Sequence, residues 1–593
     1  MAKAGTARGR KAATKSNRQH DDPEVPAPPA IRPFLARTRV AYFSMEIAIR
    51  SEIHTYSGGL GILAGDTARE SADLELPMVF VTLVSRAGYI RQEIDRTGRQ
   101  RDLPDRWAPE KWCEPLPTRV TVEIQGRAVC VASWLAVVTG RHGFRIPILL
   151  LDTDLPENAR RDRSLTSSLY GGDAPYRLAQ EMVLGLGGLR MLRALGFDLR
   201  TYHMNEGHAS LLTLDLLADR GGANPRAVAR SAVGDPARVR RECVFTTHTP
   251  VKAGHDRFDY ALVHRLLPRT IDVSQLRRLG GRSRLNMTVL GMNLSHYVNG
   301  VSLLHAETTR KMFPRRRIRA VTNGIHADSW IHPELGRFFD RKYPGWRERP
   351  ELLVRVVDLS GSEVADCHQV AKRSLLERIR RARGVTLDPK LPTLVFARRM
   401  TGYKRPSLLF EDPQRLVEVA SRYPFQLVLT GKAHPRDTAG KKAIRRIHQA
   451  LRALDDKVPG VFLPNYDMAW GRSLVAGADV WLQTPLPPME ACGTSGMKAA
   501  LNGGLNLSPL DGWWAEGCVD GVNGWSFAGG GRDRSDRRVA SALYDRLENV
   551  VLPCYYTDPA RWSSMMRHAI ATIGSYFTSQ RMLRQYAADA YAH

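Results

Sequence analysis

At 593 residues the chain is too long for a single hydrophobic core, and two or three domains are expected. Its apolar content of 43% is that of a globular protein, and no stretch approaches the roughly 20 uninterrupted apolar residues of a membrane span. The formal charge of +27 has no nucleic-acid-binding motif beside it, so a solvated basic surface accounts for it better than a polyanion partner.

Residues 1–20 carry Lys3, Arg8, Arg10, Lys11, Lys15 and Arg18 without an acid, and Pro23, Pro26, Pro28 and Pro29 follow. A disordered basic arm is expected over residues 1–30. It has no apolar h-region, and the seven cysteines show neither metal-ligand spacing nor a disulfide framework, so a cytoplasmic location is expected. Further basic patches lie at Arg315–Arg317 and along the helix-like stretch Lys372–Arg383.

Order begins near Ile31. Arg39–Met45 reads as a strand, and Tyr56–Asp66 contains Gly58-Gly59-Leu60-Gly61, a turn whose glycines let the main chain approach a ligand. A tight strand-to-helix connection explains it equally well. Pro77–Val84 is a buried strand, and Tyr176–Leu195 has helical apolar spacing. Tyr202-His203-Met204-Asn205-Glu206-Gly207-His208 then leads into a leucine-rich helix, and Val244–Pro250 forms a strand ending in a loop that carries His248. Side chains that act on ligands tend to project from such strand ends, although a core histidine capping the strand is the plainer reading. Asn299–Glu307 and Val321–His326 follow. Between Ala327 and Lys390 the composition turns polar, which places a domain boundary at residues 345/346.

The second half alternates strands at Thr393–Ala397, Gln426–Leu429, Val461–Leu463 and Asp479–Leu482 with helix-length segments, the mark of a parallel sheet. Phe396–Arg405 sets four cations, Arg398, Arg399, Lys404 and Arg405, just past the first of these strands. Dense fixed positive charge is what brings two phosphates close together, although most such clusters are solvated loops. Past Leu482, prolines break the chain, and a short helix is expected to begin at Thr494 as N-cap and to stop at Gly503-Gly504. Its free N–H groups suit an anion. Lys498 in its first turn opposes the helix dipole, as a lysine neutralised by a bound carbonyl cofactor with its own phosphate would not; a lone lysine there is otherwise usually exposed. Arg561–His593 is helical and is expected to pack back across the first domain.

The run Glu490-Ala491-Cys492-Gly493-Thr494-Ser495-Gly496-Met497-Lys498, with Leu501-Asn502-Gly503 and Leu510-Asp511-Gly512, resembles the pyridoxal-phosphate lysine segment of the α-glucan (glycogen, starch, maltodextrin) phosphorylases, in their short microbial form. Arg398–Arg405 is similar to the family's Lys-Arg-Ile-His-Glu-Tyr-Lys-Arg, with Arg398 in place of the first lysine. Tyr202–His208 is similar to its Asn-Asp-Thr-His segment, with Glu206 for aspartate and Gly207 for threonine. The resemblance implies an α/β protein of two Rossmann-like domains facing across a cleft (GT-B type), here 31–345 and 346–593. It implies reversible, retaining phosphorolysis of α-1,4-glucan or maltodextrin with inorganic phosphate, giving glucose 1-phosphate, with pyridoxal 5'-phosphate as cofactor and a homodimer as the expected assembly. By the same resemblance Arg399, Lys404, Gly58 and Gly59 would receive the substrate phosphate, and Lys498, Arg398, Thr494 and Ser495 the cofactor. His248, Asn323, Tyr403, Glu206, Glu490, Ala491, Cys492 and Gly493 would line the glucosyl pocket. A nucleotide-sugar glucosyltransferase of the same fold is the alternative, and a glycosidase using Glu206 and Glu490 is a further one.

Overall fold

The computed structural model describes residues 27–218, 235–268, 271–360, 362–454, 456–527 and 535–592. The basic arm expected over residues 1–30 therefore falls, but for its last four positions, outside the described residues. Two large hydrophobic cores form, one against each sheet, and two smaller clusters also pack against the first sheet.

The first sheet runs Arg319–Ala320, Tyr297–Gly300, Cys243–Thr246, Thr201–Asn205, Val40–Ser44, Met78–Leu83, Arg145–Asp152, all parallel. An antiparallel margin of Arg127–Thr139, Val120–Ile124 and Glu114–Pro115 completes it, in a region whose sequence gives little sign of structure. Val40–Ser44, Met78–Leu83 and Thr201–Asn205 are buried at every position, as strands covered on both faces must be. Strand order reverses between Val40–Ser44 and Thr201–Asn205, which makes a topological switch point. Ser44 pairs with Asn205 and Asn205 with Thr246, so the chain leaves all three strands at one level. Glu46, Glu206 and His248 emerge together there.

The second sheet runs Gly460–Leu463, Gln426–Thr430, Thr393–Ala397, Val480–Leu482, Leu505–Ser508, Gly524–Ser526, all parallel. Numbered along the chain this is the doubly wound order 3-2-1-4-5-6. Its switch point lies between Thr393–Ala397 and Val480–Leu482, the strands from which the Arg398 and Pro485 segments depart. The last two strands are short and bordered by glycine, which hides them from a pattern reading.

Some local expectations change. The helix expected over Tyr176–Leu195 forms, with a π-helical turn at Val183–Gly187 between Ala174–Met182 and Gly188–Ala194. Residues 327–383 are polar on average because their helices are amphipathic, and Trp330, Phe338, Phe339, Leu375 and Ile379 lie in the core of the second sheet. Lys372 is a correction to the solvated patch expected at Lys372–Arg383: it is 0% exposed, with Nζ 2.6 Å from Asp479. Asp479 also accepts the backbone N–H of Thr393 at 2.7 Å, so the pair pins the helix Glu363–Arg383 to the start of the sheet.

The closing segment crosses back as expected. Met582, Leu583 and Tyr586 pack with Leu63, Val244, Tyr297 and Val321. Tyr591 Oη lies 2.6 Å from His203 Nδ1, and Tyr586 Oη accepts from Asn299 Nδ2 at 2.9 Å. No helix among the described residues is long and apolar enough to cross a membrane.

Candidate active site

The helix expected after Thr494 spans Ser495–Leu501. Thr494 stands at its N-cap, but its side chain makes no capping hydrogen bond, and Ser495 Oγ accepts from Trp481 Nε1 at 3.2 Å. Lys498 is only 4% exposed. Its Nζ sits 3.7 Å from the centre of the Trp330 ring, and no acceptor meets it among the described residues. Trp330 Nε1 donates to both oxygens of Asp66, at 3.0 and 2.8 Å, so the carboxylate nearest the lysine is already engaged. Burial pulls the Lys498 pKa down to about 8, with Arg69 and Arg472 acting the same way against Asp66. At that value about one amine in ten is unprotonated near neutrality, against roughly one in 3,000 for an ordinary lysine. A buried lysine poised in this way is a nucleophile.

Arg398 and Lys404 leave the end of Thr393–Ala397 and converge on one atom: Glu490 Oε2 accepts from Arg398 Nη2 and from Lys404 Nζ, each at 2.6 Å. Burial alone would raise the Glu490 pKa, but the two cations hold it down to about 2, so it is ionised throughout the working range. Arg398 Nη1 is buried without a partner. Arg399 is accessible to solvent; no carboxylate lies within ion-pair distance of it among the described residues, and Tyr403, Tyr89 and Glu46 are its neighbours. The Tyr403 ring centre is 4.9 Å from Lys404 Nζ.

Residues 490–493 are fixed from several sides. The Glu490 N–H donates to Asp511 at 2.9 Å, Ala491 O accepts from Ser302 Oγ at 2.6 Å, and buried Cys492 accepts through its carbonyl from Trp513 N at 3.4 Å. Gly493 has φ +79°, and a Cβ there would come within 3.3 Å of Arg398 Nη2 and Glu490 Cγ. Gly493→Ala is therefore expected to cost about 1–2 kcal/mol and to weaken activity at least tenfold, read from urea unfolding and initial rates.

The first sheet supplies the facing residues. Glu46 Oε2 accepts from the N–H groups of Ser57 and Gly58, at 2.6 and 3.2 Å, and Oε1 accepts from Tyr170 Oη at 2.8 Å. A Cβ at Gly58 or Gly59 would meet nothing within 4 Å, so there is room beside this loop. Glu206, at φ +77°, is buried, and burial raises its pKa. Its carboxylate accepts from His248 N at 2.7 Å and Thr249 Oγ1 at 2.9 Å. It therefore positions the His248 loop, and its oxygens face backbone rather than open space. His248 Nε2 lies 2.5 Å from Asn205 Oδ1, and burial, with His305, His203 and His208 nearby, holds its pKa to about 3, leaving the ring neutral. Asn323 Oδ1 is buried without a partner.

The family model for carbohydrate phosphorylases matches residues 236–517, which include His248, Asn323, Arg398–Lys404 and Glu490–Lys498. A maltodextrin phosphorylase of Thermococcus litoralis is 36% identical over 93% of this chain and 70% of its own length. A glycogen phosphorylase of Mycobacterium tuberculosis is 38% identical over 94% and 71%, and one of Aquifex aeolicus 35% identical over 93% and 86%. The chain belongs to the carbohydrate phosphorylase family. Gly58, Gly59 and Glu206 lie before the span that the phosphorylase model matches, Gly58 and Gly59 at the start of the helix Gly59–Asp73 and Glu206 just past the strand Thr201–Asn205.

Glu46, Asp66, Tyr170 and Trp330 escape the sequence reading. Glu46 is an acid two residues past the strand Val40–Ser44. Only the sheet order shows that this strand flanks the switch point.

Proposed function

We propose that the chain catalyses reversible phosphorolysis of α-1,4-glucans, transferring the terminal glucosyl unit to inorganic phosphate with retention and releasing α-D-glucose 1-phosphate. The observation that carries this reading is the buried, unaccepted amine of Lys498, together with the Arg398 and Lys404 cations that converge on Glu490 beyond the switch point of the second sheet. The two α/β units, one around each sheet, are read as the facing halves of a GT-B enzyme.

Pyridoxal 5'-phosphate fits the residues present. Lys498 is the amine for its aldehyde, the unpartnered Arg398 Nη1 is a donor for its phosphate, and Thr494 and Ser495 at the helix entrance are further donors. When bound, this group supplies a second phosphate that exchanges a proton with the substrate phosphate. Arg399, Lys404 and the Gly58-Gly59 main chain hold inorganic phosphate beside the scissile bond. Its proton passes to the departing glycosidic oxygen, the bond from that oxygen to C1 breaks, and a phosphate oxygen bonds to C1. His248 stays neutral and cannot repel the cationic sugar centre, while Glu206 keeps the His248 peptide in place. Asn323 Oδ1, Glu490 and the 491–493 main chain accept and donate to sugar hydroxyls.

A retaining glycosidase needs a free carboxylate nucleophile. Glu206 is enclosed by the His248 N–H and the Thr249 hydroxyl and Glu490 is ion-paired, so that chemistry is disfavoured. The nucleotide-sugar glucosyltransferase alternative has no use for an aldehyde-reactive lysine. Incubation of the purified protein with maltoheptaose and phosphate should yield glucose 1-phosphate, accompanied by near-ultraviolet absorbance of bound pyridoxal phosphate. Release of free glucose without phosphate would overturn the reading.

A further inference from the structure

Glu490 treats its two oxygens differently. Oε2 alone accepts both cations, Arg398 Nη2 and Lys404 Nζ, at 2.6 Å each, whereas Oε1 takes part in no hydrogen bond among the described residues. The carboxylate cannot drift away from this arrangement. Its own N–H is tied to Asp511, and Gly493, whose added Cβ would reach Glu490 Cγ and Cδ at 3.3 and 3.4 Å, closes its other side. One oxygen neutralises the phosphate-binding cations, and the other is left to accept a hydroxyl.

We propose that Glu490 couples the two substrates, making phosphate bind more tightly once a glucosyl unit is seated; this rests on the reading of Lys404 and Arg399 as the substrate-phosphate site. A phosphate arriving at Lys404 meets a carboxylate that competes for the same ammonium and repels the incoming anion. A sugar hydroxyl donating to Oε1 draws carboxylate charge away from Oε2. That loosens the hold on Lys404 and weakens the repulsion. Linkage makes the effect mutual, so phosphate in turn leaves Glu490 freer to accept the sugar. The other charged groups that face Glu490 are Arg398, Arg399 and Asp511, and Asp511 is held by the Glu490 N–H.

The test is calorimetric titration of the holoenzyme with inorganic phosphate, alone and with saturating 1,5-anhydroglucitol, which offers the glucose hydroxyls but has no anomeric oxygen to react. In the wild type the sugar should tighten phosphate at least fivefold. Glu490→Gln, titrated without sugar, should bind phosphate at least fivefold more tightly than the wild type, and the sugar should add nothing further. A merely structural Glu490 predicts the reverse, weaker phosphate binding on substitution. No sugar effect in the wild type, or an undiminished one in Glu490→Gln, overturns the coupling. If Glu490→Gln does not fold, the wild-type pair of titrations decides. Arg399→Ala separates the two levels: phosphate binding unchanged by that substitution, or absent from the wild type under both conditions, removes the phosphate site itself and the coupling with it.

Discussion

Lys498→Ala should reduce glucose 1-phosphate formation by more than about a thousandfold and remove the near-ultraviolet absorbance of the cofactor, because the substitution removes the buried amine assigned to its aldehyde. The same side chain should also have an opposite effect on stability. With the folded pKa near 8 and the unfolded one near 10.5, the charged amine is disfavoured in the fold. The folded chain then binds fewer protons than the unfolded chain between those values, so the cofactor-free protein gains stability as pH rises through that window, and below it carries the full penalty. That penalty is about 3 kcal/mol, offset in part by the Trp330 ring. Lys498→Met in the cofactor-free protein should accordingly raise Tm near neutral pH, and the gain should vanish in strongly alkaline buffer. A lower Tm at neutral pH would show that the amine is better solvated than its position implies.

Lys372→Met is the second large effect, and it falls far from the chemistry. Removing the ammonium leaves Asp479, 2% exposed, charged and without its main counter-ion, with only His368 at 3.3 Å to replace it. Breaking such a pair costs about 3–5 kcal/mol. The urea midpoint should fall with little change in slope, and the double variant Lys372→Met/Asp479→Asn should recover part of the loss, since asparagine can still accept the Thr393 N–H. A single variant as stable as the wild type would mean that Asp479 is protonated in the fold.

Much of the site was legible because its residues sit in runs that punctuate the chain: a buried strand, then Arg398–Arg405; a second, then Pro485–Lys498. Strand ends are local features, and so are glycines. What could not be read is how one strand end meets another. Nothing in the chain pairs Glu490 with Lys404, 86 positions away, or turns the Glu206 carboxylate onto the amide of His248. The same blindness misplaced Lys372, whose neighbours Arg373, Arg380, Arg381 and Arg383 are surface-facing on the same helix and give the whole stretch a solvated look. Helix-averaged polarity conceals the positions in each turn that point inward. Glu46 was missed for a related reason. Its partners Ser57, Gly58 and Tyr170 are brought to it by the loop and by a residue 124 positions on.

The tyrosines of the closing segment bear on how the molecule is made. His203, Thr246 and Asn299 belong to strands that leave the ribosome early, yet their hydroxyl partners at 586 and 591 are translated some 290 to 390 codons later. A nascent chain that assembles the first sheet must therefore leave His203, Thr246 and Asn299 to water in place of those tyrosines until synthesis reaches them. Proteolytic trimming of residues 579–591 would return the finished enzyme to that immature condition.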